Sequence, residues 1–183
     1  SNVTQPVNHF RVGTKDYLVF GDRLKTYILD RRGNTRVNVT EYFPRSVQNN
    51  YLLDYQRNET DAHLVITDTT GLIHCIYFNG NHTTIDMGRF TGNHFFDCKD
   101  MDGDNKVEYI FLDNNKLIIF KENKTLLYEF TFNNIIYFRP MYYNFGLRDK
   151  KLGIVSDKEN LIYLINNDGQ PYKGFPLRGN SPF

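Results

Sequence analysis

Residues 100–108 read Asp-Met-Asp-Gly-Asp-Asn-Lys-Val-Glu and carry a cluster of acidic side chains. Oxygen ligands at alternating positions allow one tight loop to surround a hard cation such as Ca²⁺. The five predicted ligands are the carboxylates of Asp100, Asp102, Asp104 and Glu108 and the backbone carbonyl of Lys106. The stretch therefore predicts a loop that holds Ca²⁺ in a structural role.

Of two other interpretations of the acidic stretch, the sequence excludes one and leaves the other open. An EF-hand is excluded, because its twelfth position is Phe111 and a strand pattern follows where a helix should begin. A solvated acidic turn, in which Asp and Asn side chains bond to their own backbone, stays open as an alternative.

The wider organisation of the chain is a repeat. Four segments superpose, each with an apolar run, an Asp-led turn and a second apolar run: "YLVFGDRLKTYILDRRGN", "LVITDTTGLIHCIYFNGN", "YIFLDNNKLIIFKENK" and "LGIVSDKENLIYLINNDG". Their turn aspartates, Asp22, Asp68, Asp113 and Asp157, are 46, 45 and 44 residues apart. One further strand pattern precedes and one follows each pair, which makes four strands per unit.

Short strands separated by turns, with no competing helical period, predict an all-β protein. Four antiparallel strands recurring every ~40–50 residues are typical of β-propeller blades. A small sheet with two apolar faces must stack against neighbouring sheets to bury both. We therefore predict one propeller-type domain over residues 1–183, with about four blades at approximately 6–43, 50–90, 93–132 and 138–177. A long β-sandwich with coincidental spacing is the alternative.

The last residues resemble the start of another unit, because "RGNSPF" at 178–183 matches "TGNHFF" at 91–96. The chain is thus expected to be part of a larger propeller, or four blades with a closing strand. Two chains could also form a homodimer through open blade edges.

The acidic motif carries a family resemblance. "D-x-D-G-D-x-x-x-E" leading into an apolar strand resembles the cation loop of FG-GAP/VCBS-type propeller repeats. "NDGQPYKGFPL" at 167–177 is similar to the "DG…GFP" ending of these bacterial repeats and of quinoprotein-like propellers. The resemblance implies a bacterial protein of the periplasm, cell envelope or extracellular space. Two residues depart from the family pattern, since Asn105 replaces a glycine and Glu108 an aspartate.

Bulk composition argues against several classes of partner and site. With 22 basic and 21 acidic residues the net charge is +1, which does not favour a nucleic acid or an anionic membrane. No apolar run reaches the ~20 residues that span a bilayer, and residues 1–12 lack a signal-peptide pattern. Cys75 and Cys98 are predicted to be free thiols at buried strand positions, with a single disulfide as the alternative. The five histidines show no spacing typical of a zinc site.

No G-x-S-x-G elbow or glycine-rich phosphate loop occurs in the sequence. The expected function is a non-catalytic binding or scaffolding module that presents loop surfaces to a protein or glycan partner. The alternative is part of a propeller enzyme, such as a quinoprotein-like dehydrogenase or a polysaccharide-active enzyme.

Overall fold

The computed structural model describes residues 3–55 and 58–181. These residues form sixteen β-strands in four antiparallel four-stranded sheets, and the only helical element among them is a 3-10 turn at Asp157–Glu159. The predicted fold class, all-β with about four propeller-type blades of four strands, is confirmed. A chain rich in Tyr, Phe and Ile, with one alanine, favours strands over helices.

Strands follow one another in chain order within each sheet. The first sheet contains β1 (Asn8–Val12), β2 (Lys15–Gly21), β3 (Thr26–Leu29) and β4 (Thr35–Val37). The second contains β5 (Leu52–Asp54), β6 (His63–Thr67), β7 (Ile73–Tyr77) and β8 (His82–Ile85). The third contains β9 (Phe95–Lys99), β10 (Glu108–Asp113), β11 (Lys116–Lys121) and β12 (Leu126–Thr131). The fourth contains β13 (Met141–Gly146), β14 (Asp149–Ser156), β15 (Leu161–Asn166) and β16 (Leu177–Arg178).

The repeated aspartates lie at the turn between the second and third strands of each sheet. Asp22 Oδ1 accepts the N–H groups of Leu24 and Lys25 at 2.9 and 2.7 Å. Asp68 Oδ1 likewise accepts the N–H of Thr70 at 2.7 Å and that of Leu72 in the same turn. In these two sheets, a short acceptor side chain that satisfies turn amides explains the Asp at this point of the repeat.

The segment after each fourth strand also returns to this turn. In every sheet one of its N–H groups donates to a turn carbonyl: Phe43 to Leu24, Phe90 to Thr70, Phe132 to Asn115 and Gly179 to Asn160, at 2.8 to 3.2 Å. In each sheet, a backbone hydrogen bond therefore attaches the segment that follows the fourth strand to the central hairpin.

The chain divides into two compact units, one up to Gly92 and one from Asn93. Each unit contains two sheets that share one apolar core. The core of the first unit includes Val19, Ile28, Tyr51, Leu64 and Ile76. The core of the second includes Ile110, Ile119, Phe132, Leu152 and Ile165. The apolar residues of each unit are buried because two sheets stack against each other.

Continuously apolar runs form the central strands, but these strands are not all buried on both faces. In β10 every residue from Glu108 to Leu112 is buried. In β11 burial alternates, because Leu117 and Ile119 are buried while Ile118 and Phe120 are only partly covered. Both strands contain a run of consecutive apolar residues. Such a run predicts a strand, but it does not predict whether both faces of that strand are buried.

Both cysteines are buried thiols outside any disulfide, as predicted, Cys75 in β7 and Cys98 in β9. No helix in residues 3–55 and 58–181 has the length and hydropathy needed to cross a membrane. Of the predicted start of a fifth unit at 178–183, Arg178 belongs to β16 and pairs with Leu161, while residues 182 and 183 lie outside the described residues.

Adjacent isoleucines in β11 provide a test of the stacked core. Ile119→Ala should lower the free energy of unfolding by about 3 kcal/mol, because it leaves a cavity in a fully buried site. Ile118→Ala, its matched control on the opposite face, should cost about 1 kcal/mol. Urea denaturation of both variants measures the difference, and equal losses would contradict the described packing.

Candidate metal centre

The acidic stretch forms the connection between β9 and β10, residues 100–107. In the first and fourth sheets the equivalent connection has two residues, at 13–14 and 147–148. The eight-residue connection of the third sheet is therefore an elaboration of a simple hairpin. Long connections with polar side chains are where functional sites tend to lie on a rigid scaffold.

Three of the five predicted ligands come together. Carboxylate oxygens of Asp100, Asp102 and Glu108 all lie within 4.8 Å of one another. Two oxygens bound to the same Ca²⁺ at ~2.3–2.6 Å can be at most about 5 Å apart. The three side chains thus fit the spacing and the hard oxygen chemistry that a calcium ion requires.

Asp104 and Lys106 are the predicted ligands outside this group. Asp104 Oδ1 accepts the N–H of Lys106 at 2.8 Å and so serves the turn. The Lys106 side chain lines a cavity beside the loop. Ligation by the Asp104 carboxylate or by the Lys106 carbonyl stays a prediction.

Backbone N–H groups of the loop already donate hydrogen bonds to some of these carboxylate oxygens. Asp100 Oδ1 accepts the N–H of Gly103 at 2.7 Å, and Asp102 Oδ1 accepts that of Asp104 at 3.1 Å. Hydrogen bonds of this kind are also expected if the loop is a solvated acidic turn without a cation. They do not exclude a cation, because each carboxylate has about four lone-pair sites and these contacts use few of them.

Glu108 is the most buried acid of the loop. Glu108 is the first residue of β10 and is 1% exposed. Burial raises the pKa of Glu108 to about 7, although the Met101 N–H, which donates to Oε2 at 2.7 Å, favours the carboxylate. A divalent cation beside Glu108 would offset the cost of holding this buried group charged.

Lys121 is a functional neighbour that the acidic motif alone does not reveal. Its Nζ lies 2.5 Å from Asp102 Oδ2. Burial acts to raise the pKa of Asp102, but the hydrogen bonds from Lys121 and the Asp104 amide outweigh it and lower that pKa below its ordinary value. The hydrogen bond to Asp102 in turn raises the pKa of Lys121.

The position of Lys121 follows from strand register. Asp113 pairs with Lys116 across a two-residue turn, and this register places Lys121 directly opposite Glu108. The turn was predicted from the sequence, so counting back along the hairpin would have identified Lys121.

The fourth sheet fixes the loop from outside. The Tyr142 hydroxyl of β13 donates to the carbonyl oxygen of Asp100 at 3.1 Å. Gly103 has φ +80°, and a Cβ added there would lie 2.1 Å from the carbonyl oxygen of Leu147. Asn105 has φ 64°, a left-handed conformation that asparagine accepts better than most residues.

A cavity of about 210 Å³ opens beside the loop. Its lining residues are Asp104, Lys106, Glu108, Lys121, Glu122 and Asn123. Glu108 thus belongs both to the carboxylate group and to the cavity wall. Together the loop and cavity carry five acidic and two basic side chains, so this surface is net acidic.

Comparison with known proteins supports the fold alone. No protein-family model and no curated protein matches the chain. The BBS1N structure in complex with ARL6DN, from a crystal soaked with mercury, has a TM-score of 0.64 and 11% identity over 94% of this chain and 55% of that one. The lead-soaked form of that complex has a TM-score of 0.57 and 10% identity over 91% of this chain and 47% of that one.

A protein of unknown function from Bacteroides caccae is similar as well, with a TM-score of 0.51 and 10% identity over 91% of this chain and 57% of that one. The chain therefore spans about half the length of these solved structures. At such identities the likeness extends to the propeller-type fold and not to a site.

The tight approach at Gly103 generates a prediction about the loop. Gly103→Ala should destabilise the second unit by about 2 kcal/mol. The alanine backbone would be strained at this positive φ, and its methyl group would clash with the Leu147 carbonyl. Asn105→Gly, two residues away, should change stability by less than about 1 kcal/mol, since glycine accepts the same φ. Thermal unfolding of both variants provides the measurement, and a tolerated Gly103→Ala would refute the described loop conformation.

Proposed function

We propose that the chain is a non-catalytic binding module that presents the acidic surface of the third sheet to a protein partner. The observation that carries this proposal is the open cavity beside the acidic loop. Even without the buried Glu108, the loop and cavity carry four acidic side chains, Asp100, Asp102, Asp104 and Glu122, against two basic ones, Lys106 and Lys121. A surface of this charge favours a basic segment on the partner.

The structural neighbours support a protein partner in a general way. BBS1N, whose fold this chain shares, was crystallised in complex with ARL6DN. One fold hosts many functions, so the neighbour raises the expectation of a protein partner without identifying it. A glycan is the alternative class of partner, and the experiment below separates the two.

A photo-reactive residue placed at Asn123, on the cavity wall, tests this proposal in cells of the source organism. We expect a protein adduct, which is then purified and titrated against the chain. Glu122→Gln should weaken that binding about fivefold, because it removes a carboxylate from the cavity wall.

Glu129→Gln is the matched control, since Glu129 is an exposed acid of the same sheet, in an ion pair with Lys116 and away from the cavity wall. Its affinity should equal that of the unmodified chain. A glycan adduct in place of a protein, or equal weakening by both variants, would overturn the proposal.

The second candidate function is a structural calcium site in the loop. The observation that favours it is the convergence of Asp100, Asp102 and Glu108 within 4.8 Å. Three carboxylates at this distance repel one another, and a Ca²⁺ ion would neutralise them and connect both ends of the loop.

Lys121 competes with this cation. Its ammonium group already contacts Asp102, and its side chain is 36% exposed, so it can move into solvent when a metal binds. Removal of Lys121 should therefore strengthen calcium binding and make the loop more dependent on it.

Calorimetric titration with CaCl₂ tests the site. The unmodified chain should bind one Ca²⁺, Asp102→Asn should abolish the heat of binding, and Lys121→Gln should bind at least about tenfold more tightly because an intramolecular competitor is lost. At a concentration of 100 times Kd, calcium should raise the stability of the folded chain by about 2.7 kcal/mol.

Asp168→Asn is the matched control, because Asp168 Oδ1 accepts an amide within a turn of the same unit but lies outside the carboxylate group. It should bind calcium like the unmodified chain. Absence of heat from both the unmodified chain and Lys121→Gln would show that the loop is an acidic turn held by its own hydrogen bonds.

A further inference from the structure

A pair of histidines lies on the outer part of the second sheet. His74 in β7 and His82 in β8 share one face of this sheet, because His74 is paired with Thr84 and His82 with Ile76. Their facing nitrogens, Nδ1 of His74 and Nε2 of His82, are 2.9 Å apart. His74 is 5% exposed, so this contact lies within the folded unit.

A connecting segment covers the pair. We call residues 42–46 the strap, since they join the first sheet to the second. The ring of Phe43 stacks on that of His74, with centroids 3.6 Å apart and planes 6° apart. Two backbone bonds hold the strap to the turn of the second sheet, from Ser46 to Thr67 and from Thr69 to Pro44.

The second ring nitrogen of His74 has no hydrogen bond. Nε2 is buried and lies 3.8 Å from Asp68 Oδ2, which is beyond hydrogen-bond distance. Asp68 Oδ1 is occupied by the amides of its own turn. A buried imidazole with one unmatched nitrogen is costly to keep in place, and its neighbours determine whether it can accept charge.

Charged and titratable groups reach His74 from each element packed against it. His82 approaches from β8, Asp68 from the turn after β6, and Arg45 from the strap, where its guanidinium lies 5.2 Å from the Phe43 ring centroid. Asp68 favours a charged imidazole, whereas His82 and Arg45 disfavour it. Burial is the largest influence, and together these effects lower the pKa of His74 to about 4.

The distance between the two imidazoles restricts how many protons the pair can hold. A contact of 2.9 Å between ring nitrogens needs one hydrogen between them, which is available while the pair carries no added proton or one. With two added protons both facing nitrogens carry a hydrogen and both rings are cationic. This state cannot keep the contact.

We propose that His74, His82 and Asp68 form a pH-sensitive latch that releases the strap from the second sheet as the pH falls. The Phe43 ring stacks on His74, so separation of the imidazoles removes the surface on which the strap rests. The turn bonds at Thr67 and Thr69 then open with it.

The direction and the pH range follow from linkage. A histidine with an ordinary pKa of 6.5 when released, and about 4 in place, stabilises the closed strap fully above pH 6.5. This contribution is lost as the pH falls from 6.5 towards 4. Between pH 7 and pH 5 the equilibrium constant for opening should rise about 20-fold.

Amide hydrogen exchange of the full chain tests the latch. Protection factors, corrected for the intrinsic effect of pH, should fall about 20-fold between pH 7 and pH 5 in peptides that contain residues 41–47. Peptides from β14 and β15, in the other unit and on strands that do not contain the titrating Glu108, should not lose protection over this range and serve as an internal control.

His74→Phe keeps a ring against Phe43 but removes the titrating group, so the protection of the strap should no longer depend on pH in this range. His9→Gln is the matched control, because His9 is largely exposed and pairs with Asp16 in the first sheet. It should retain the full fall in protection. Should His74→Phe fail to fold, His82→Gln removes the second positive charge instead and should reduce the fall.

Protection of the strap that is equal at pH 7 and pH 5 in the unmodified chain would overturn the proposal. So would an undiminished fall in His74→Phe or, where that variant does not fold, in His82→Gln.

Discussion

Burial of both faces of a thin sheet is the constraint on which the rest of the structure depends. Strands of two to eight residues make sheets too small to be stable alone. In each unit two such sheets stack and share one core, so their apolar residues are covered from more than one side. The connections at the sheet ends contribute single residues to these cores, such as Tyr51 and Met101, but their other residues vary in number and chemistry. The two-residue hairpin at 147–148 and the eight-residue acidic connection at 100–107, which join equivalent strands, illustrate this range.

Much of this architecture could be predicted because it depends on local chemistry. The repeated aspartates mark central turns, and Asp22 and Asp68 accept turn amides directly. Register then follows from turn length, and in the third sheet it determines that Lys121 faces Glu108. Contacts between sheets are different, since no local pattern encodes them. The support of the loop by Tyr142 and the close approach of Leu147 to Gly103 depend on how two sheets stack.

The histidines show the same limit. Their spacing along the chain gives no hint of a site, and His74 and His82 are eight residues apart. They meet because hairpin register brings both side chains to one face, diagonally across two strands. The third partner, Phe43, comes from a different connection altogether. Such a constellation requires both the register and the course of the strap, and the second of these is not available from sequence periodicity.

The strap of the first unit is one instance of a repeated connection. In all four sheets a residue after the fourth strand donates its N–H to the central turn, and in three of them that residue is phenylalanine: Phe43, Phe90 and Phe132. The backbone bond therefore provides the common attachment, while the surroundings of the ring differ. Phe132 belongs to the apolar core of its unit, where its ring contacts that of Tyr163. Phe43 instead stacks on a buried imidazole. The same backbone attachment therefore carries, in the first repeat, a ring that rests on a titratable side chain, and this contact is the one on which the proposed latch depends.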